Sequence, residues 1–245
     1  MLDSRPLLLH TFLYSYRRAV SRILDPFVEP AGLVLLAEAD NHNRFRAVAR
    51  NIVGNTILDV GSGGKSFFSL RWSNCVSVDL RIVSGVDVVA SAAHLPFRSD
   101  SFETVVCVDT LEHIPNQNRK GVLLEIKRVA ARRAVVHTPV QDNVEFLGRS
   151  SDIALDAWYK EFQKRRPETT VEHIKNVEPS RRDLEDAGFV LKGTHNASHW
   201  LRCMRLASYV WPLGALASQT YYLTHRSKRF RPPFWGAACV FDKSI

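Results

Sequence analysis

The stretch Ile57-Leu58-Asp59-Val60-Gly61-Ser62-Gly63-Gly64 decides how the chain is read. An apolar run ends in an acid, and a glycine-rich turn follows at once. Glycines at such a point permit positive φ and let the backbone approach a ligand closely. Three nucleotide-type readings compete for a loop of this kind. Gly64-Lys65-Ser66 imitates the end of a P-loop, but the position of that motif's first glycine is held by Asp59. A dinucleotide fingerprint would need glycine at Ser66 and has no use for an acid at the strand end. What remains is a nucleoside without phosphates that carries positive charge, beside which a carboxylate is useful.

Outward from this turn, short β-rich runs alternate with helical ones. Strands are predicted at Ile57–Val60, Val76–Asp79, Asp87–Ala90, Thr104–Val108 and Ala134–Thr138, with helices at Ser66–Trp72 and Arg119–Ala131. Arg181–Ala187 closed by Gly188 reads as a further helix with a glycine stop. Phe189–Thr194 and Ala237–Phe241 add two later strands. The alternation implies a mostly parallel α/β sheet of seven strands, doubly wound, with helices on both faces. Ahead of it, Leu9, Phe12, Leu13, Tyr16, Val20, Ile23, Leu24 and Phe27 recur at helical spacing with Arg17, Arg18 and Arg22 between them. A second helical stretch spans Leu33 to Asn51. The expected organisation is a helical extension over 1–50 and a domain over 51–245. Residues 141–179 and 197–235 are too long for plain connections, and are expected to form helical cap insertions.

Several motifs occur in order around the glycine turn. Asp59-Val60-Gly61-Ser62-Gly63 resembles the first motif of class I S-adenosylmethionine-dependent methyltransferases. Val76-Ser77-Val78-Asp79-Leu80 resembles that family's second strand, whose terminal acid binds both ribose hydroxyls. Asp79 lies 20 residues after Asp59, the interval at which doubly wound folds meet an adenosine ribose. Ala92-Ala93-His94-Leu95-Pro96-Phe97 with Asp100-Ser101-Phe102-Glu103, then Asp109-Thr110-Leu111-Glu112-His113-Ile114-Pro115, then Glu125-Ile126-Lys127-Arg128-Val129, resemble the small-molecule branch, methyltransferase type 11 with its ubiquinone and menaquinone methyltransferases. The resemblance implies a Rossmann-like domain with S-adenosyl-L-methionine as cofactor and S-adenosyl-L-homocysteine as product. It implies cofactor contacts from Asp59, Gly61, Ser62, Gly63, Asp79, Leu80, Ser91, Ala92, Ala93, Asp109 and Thr110. Ser91 stands where the branch usually has an acid for the adenine amino group, and a serine accepts more weakly than a carboxylate.

A sulfonium carries its own leaving group, so such a protein mainly aligns nucleophile, methyl and sulfur. A base is needed only for a hydroxyl or ammonium acceptor. Asp109 and His113, which follow the fourth strand, are the catalytic candidates by position. His137 and His173 are weaker ones. A single Glu-His pair supplies too few ligands for a metal, and none is expected.

Charge and composition bound the partners. Lysine and arginine number 33 against 25 acids, a net charge of +8. From Ala187 to Phe241 there is no acid at all, while Lys192, Arg202, Arg205, Arg226, Lys228, Arg229 and Arg231 fall there. Such a region keeps the surface soluble or meets an anionic partner: nucleic acid, a phosphorylated molecule or a membrane face. The uncharged stretch Leu206–His225 includes Pro212 and Gly214 and is expected to be a buried or interfacial helical segment rather than a span. Trp158, Tyr159 and Phe162, set among Lys160, Lys164, Arg165 and Arg166, suggest an amphipathic helix in the first insertion. Trp200, Trp211, Tyr221, Tyr222 and Trp235 decorate the second. Four scattered cysteines and the lack of a signal-like N-terminus fit a reducing, cytoplasmic setting, with membrane contact at most peripheral. The function expected is methyl transfer to a small-molecule, glycan or lipid-linked acceptor. An RNA methyltransferase and a non-catalytic S-adenosylmethionine-binding subunit are the alternatives.

Overall fold

Strand β1 (Thr56–Val60) runs straight into the glycine turn, and its side chains alternate between two apolar layers. Leu58 and Val60 enter one layer and Ile57 the other, as the period of two in a strand requires. The same alternation in β4 (Phe102–Val108) sends Val105 and Cys107 to the first layer and Val106 to the second. Both faces of the sheet are therefore covered. The structure is a computed structural model that describes residues 39–64, 66–70, 72–164, 171, 174–209, 213–225 and 230–243.

The remaining strands are β2 (Asn74–Asp79), β3 (Val88–Val89), β5 (Ala130–Pro139), β6 (Val190–Gly193) and β7 (Gly236–Asp242). They join β1 and β4 in one seven-stranded sheet of order β3-β2-β1-β4-β5-β7-β6. The pairs from β3 through β5 are parallel, and β7 lies antiparallel to both β5 and β6. Each of the seven predicted strands is present. The order of the sheet reverses between β1 and β4, and in open α/β sheets ligands bind at such a switch point, outside the carboxyl ends of the strands.

Helix α1 (Ala39–Ala49) covers one face with Val48 and Ala49, beside Phe68. Helix α2 (Asn116–Val129) covers the other with Val122, Leu123, Ile126 and Val129, a spacing that lines one helical face. The short α4 (Arg181–Asp186) adds Leu184 there. Its capping box is complete: Ser180 Oγ accepts from the Asp183 amide, and the Asp183 carboxylate accepts from the Ser180 amide. Gly188, at φ +85°, stops it as predicted.

The helix predicted at Ser66–Trp72 is instead a single 3-10 turn, Phe67–Leu70. Ser66 caps this turn, its hydroxyl accepting from the Phe68 amide as at a helix N-terminus. Phe67 and Phe68 then pack on Phe45 of α1, with ring centroids 4.2 and 5.3 Å away. The helix predicted over residues 7–27 lies outside the described residues, as do residues 33–38 of the second one.

Both long insertions leave and rejoin the sheet at its carboxyl edge. The first starts after β5 and carries α3 (Gly148–Trp158), which continues as a wider turn over Tyr159–Gln163. The second starts after β6, which runs with β5 because both oppose β7. It carries α5 (Ala197–Ala207) and α6 (Leu213–Thr224), and returns at Gly236 opposite Pro139. The two insertions share one apolar cluster of Leu155, Trp158, Tyr159, Ala197, Trp200 and Trp235. Trp200 and Trp235 stack at 4.3 Å and 7° between planes. Phe234 links the insertions, accepting from Leu147 N–H and donating to Glu145 O.

Candidate cofactor site at the carboxyl edge

The glycine turn is held by the neighbouring strand. Val78 O of β2 accepts from the Gly61 amide at 2.8 Å and the Ser62 amide at 3.1 Å. Gly61 has φ +75°, and a Cβ there would lie 2.2 Å from Thr110 Oγ1. Glycine is thus required twice at this position, by backbone conformation and by the packing of Thr110. Thr110 Oγ1 lies 3.4 Å from Gly61 O and 3.5 Å from Val60 O as well as 3.1 Å from Val108 O, so it joins the end of β4 to the turn. Gly63, at φ +66°, is different: a Cβ there would meet nothing within 4 Å. Its backbone borders open space, the close-approach position a ligand needs.

Two carboxylates converge under the turn. Asp79 Oδ2 accepts from the Gly63 amide at 2.8 Å, and Oδ1 accepts from the Arg81 amide at 2.9 Å. A carboxylate has lone pairs beyond these two. Asp59 is buried, and burial, together with the nearby charge of Asp79, pushes its carboxyl up to about 7 although Ser66 hydrogen bonding opposes the rise. A desolvated acid of this sort is stabilised as the anion by an arriving cation. Open backbone at Gly63 and an acid in want of a cation fit the cationic nucleoside expected from sequence.

On the far side of β2, Leu80 is 71% exposed and Asp79 O accepts from the Ala90 amide. Ser91, Ala92 and Ala93 form the turn after β3, where Ser91 Oγ accepts from the Ala93 amide at 3.3 Å. That amide is therefore engaged by the serine. Leu95 and Phe97 of the next motif face inward, and they are clamped by the last one. Leu95 N–H donates to Glu125, while Arg128 donates to Leu95 O and Phe97 O and pairs with Glu125. These two motifs hold each other.

Asp109 follows β4 in the left-handed region, φ +47°, which is sparsely populated for a side-chain-bearing residue. Its amide donates to His137 O, and its Oδ1 lies 2.7 Å from His137 Nδ1. A carboxylate only accepts, so Nδ1 carries the proton. The other oxygen forms an ion pair with Arg44 of α1. His137 is fully buried, and its Nε2 lies 3.3 Å from Thr194 Oγ1. His113 ends a 3-10 turn, Leu111–His113, and is half-buried; its carbonyl accepts from Asn176 of the first insertion. Arg119 fastens this turn by donating to Leu111 O and Ile114 O. His173 lies outside the described residues. Sequence reasoning missed Arg44 and Ser66: an arginine on a helix 65 residues ahead of its partner carries no local motif, and Ser66 read only as a helix start.

Among the described residues, no group of three His, Cys, Asp or Glu is arranged to hold a metal.

A glycine turn over two acids, at the switch point of a 3-2-1-4-5-7-6 sheet, defines a nucleoside-binding α/β domain. Residues 58–137 match the family described as "Methyltransferase domain". A solved S-adenosylmethionine-dependent methyltransferase from Thermotoga maritima has a similar fold, with TM-score 0.50, 15% identity, and coverage of 84% of this chain and 92% of that one. The YcgJ protein of Bacillus subtilis is another, at TM-score 0.45 and 14% identity, covering 84% of this chain and 99% of that one. No curated protein matches the sequence. Residues 58–137 thus match the methyltransferase domain of the type 11 branch that the sequence motifs resemble, and S-adenosylmethionine is the cofactor such a domain implies.

Proposed function

We propose that the chain transfers the methyl group of S-adenosylmethionine to a small-molecule, glycan or lipid-linked acceptor held between the carboxyl edge and the cap. The observation that carries this reading is the convergence of Asp59 and Asp79 beneath open backbone at Gly63, with both insertions rising from the same edge. When bound, the cofactor supplies an electrophilic methyl with its leaving group attached. Gly61, Ser62 and Gly63 provide the backbone cradle, Asp79 the ribose contact, and Asp59 the balancing charge. Leu80, with the Ser91–Ala93 turn, borders the adenine side.

Asp109 is tied to His137 and Arg44 on its two oxygens. That arrangement suits a group that sets the backbone of the β4 end, and with it Thr110, more than one that removes a proton. His113 keeps the base role if the acceptor needs one. The cap excludes water from the reacting centre, which strengthens the electrostatic terms inside.

Titration calorimetry tests the reading. S-adenosylhomocysteine is expected to bind, and Asp79→Ala to weaken it by about 1.5–3 kcal/mol, the scale of a hydrogen bond to a charged group. Response to NAD or ATP with none to S-adenosylhomocysteine would overturn it. Metabolite profiling of a strain lacking the protein would reveal the acceptor as a species lighter by one methyl group.

A further inference from the structure

The cap turns an uncharged face to solvent. Helix α6 contains no charged residue, and among its described side chains Leu213, Leu216, Ala217, Thr220 and Thr224 are exposed. Leu213 and Leu216, three apart and so on one helical face, are 70% and 60% exposed. A surface helix ordinarily presents charged or polar residues on its outer face. The strip extends beyond α6. A Cβ on Gly214 would lie 2.6 Å from Tyr209 O, so the turn at Tyr209 sits against the first turn of α6. The Tyr209 ring meets Trp158 edge-on at 5.9 Å, and Trp158 stacks on Phe162 at 5.6 Å. Tyr209 is 57% and Phe162 62% exposed. A continuous apolar and aromatic strip thus runs from the first insertion to the second.

The second insertion carries charge of one sign. Lys160, Lys164, Arg202 and Arg231 are exposed, and the sequence of the second insertion has no acid anywhere. In α3 and the turn after it, Asp152 and Asp156 are buried, with Asp156 paired to Lys160, which leaves Glu161 as the exposed acid among the described residues of 148–164. No described helix is long and apolar enough to cross a membrane. Exposed leucines and aromatics beside lysines and arginines are the composition of a surface that lies in the headgroup region of an anionic bilayer. RNA would use the cations and the rings, but has no hydrocarbon to cover an aliphatic helix face.

We propose that the strip Phe162–Tyr209–Leu213–Leu216 docks the cap on an anionic lipid surface. The inference is separate from methyl transfer and stands or falls without it. Its test is co-sedimentation of the full chain with phosphatidylcholine vesicles, with and without phosphatidylglycerol. The expected result is strong partition to the anionic vesicles, weak partition to the neutral ones, and release by salt. Leu213→Glu with Leu216→Glu should reduce partition at least roughly tenfold, on the scale of unburying one leucine. The same variant should bind S-adenosylhomocysteine as the parent does, which certifies its fold; Phe162→Glu serves if it fails to fold. Absence from the anionic vesicle pellet overturns the proposal, as does partition unchanged by the substitutions. Retention on single-stranded RNA, or dimerisation lost in the double variant, overturns it equally where vesicles are not bound.

Discussion

The glycine turn and the cap sit on the same edge of the sheet, yet they are held by different forces. At the turn, backbone amides of Gly61 and Ser62 point at Val78 O, and the Gly63 amide points at Asp79. Position there is set by hydrogen bonds about 3 Å long and by φ values that only glycine adopts cheaply. In the cap, position is set by ring on ring: Trp200 on Trp235, Trp158 on Phe162, Phe146 near Phe234. Apolar contact is non-directional and tolerates many solutions. Directional bonds of the first kind suit a ligand of fixed shape, whereas packing of the second kind leaves the proposed cap free to vary with the acceptor proposed for it.

Gly61→Val breaks the comparison hardest on the turn side. The new side chain would collide with Thr110 and demand a positive φ from a β-branched residue. S-adenosylhomocysteine binding is expected to fall at least about a thousandfold, ~4 kcal/mol or more. Calorimetry beside a urea melt separates this loss from a general loss of stability. Binding within a factor of a few of the parent would show that the turn is not where the cofactor rests.

Trp200→Ala tests the other region. Trp200 is buried against Trp235, and its removal should cost about 3–4 kcal/mol of stability in urea denaturation. Cofactor binding should change by no more than about twofold, because sites without shared partners act almost independently. A large loss of S-adenosylhomocysteine affinity would mean that cap and turn are one cooperative unit.

The contrast also accounts for what could be read in advance. All seven strands were legible because each is a short β-branched or apolar run, buried on both faces in central strands such as Thr56–Val60 and Ala130–Pro139. The turn was legible because Gly61 and Gly63 are demanded by backbone geometry that no other residue meets so cheaply. The helix expected after the turn is only one 3-10 turn capped by Ser66, a residue that reads in sequence as the first of a longer helix. The Arg44–Asp109–His137 linkage was invisible for another reason. Its members come from α1, the end of β4 and the middle of β5, and only the assembled sheet brings them together. The insertions announced themselves by length and aromatic content, but their mutual packing through Phe234 follows from the antiparallel β7, whose pairing the local sequence does not encode.

The smallest expected effect concerns protons at Asp59. Burial holds this carboxyl at about 7 in the folded chain, against an ordinary value of 3.8. An unfolded chain loses the proton near the lower value while the folded chain keeps it, so the contribution of Asp59 to stability falls as pH rises from about 4 to 7 and is level above. Cofactor binding reverses the preference, because a cation arriving beside the group favours its ionised form and draws its pKa down. Below pH 7 the ligand must first displace a proton. Affinity for S-adenosylmethionine should therefore rise by about tenfold, ~1.4 kcal/mol, between about pH 6 and pH 8. Calorimetry in buffers of different ionisation enthalpy should detect proton release over the same range. Asp59→Asn should abolish that release and flatten the profile. It should also raise the stability of the ligand-free chain above pH 7, since a neutral amide escapes the desolvation penalty of the buried anion. A flat profile for the parent chain would place Asp59 outside the reach of the cofactor's charge, and leave Asp79 as the carboxylate that the cofactor meets.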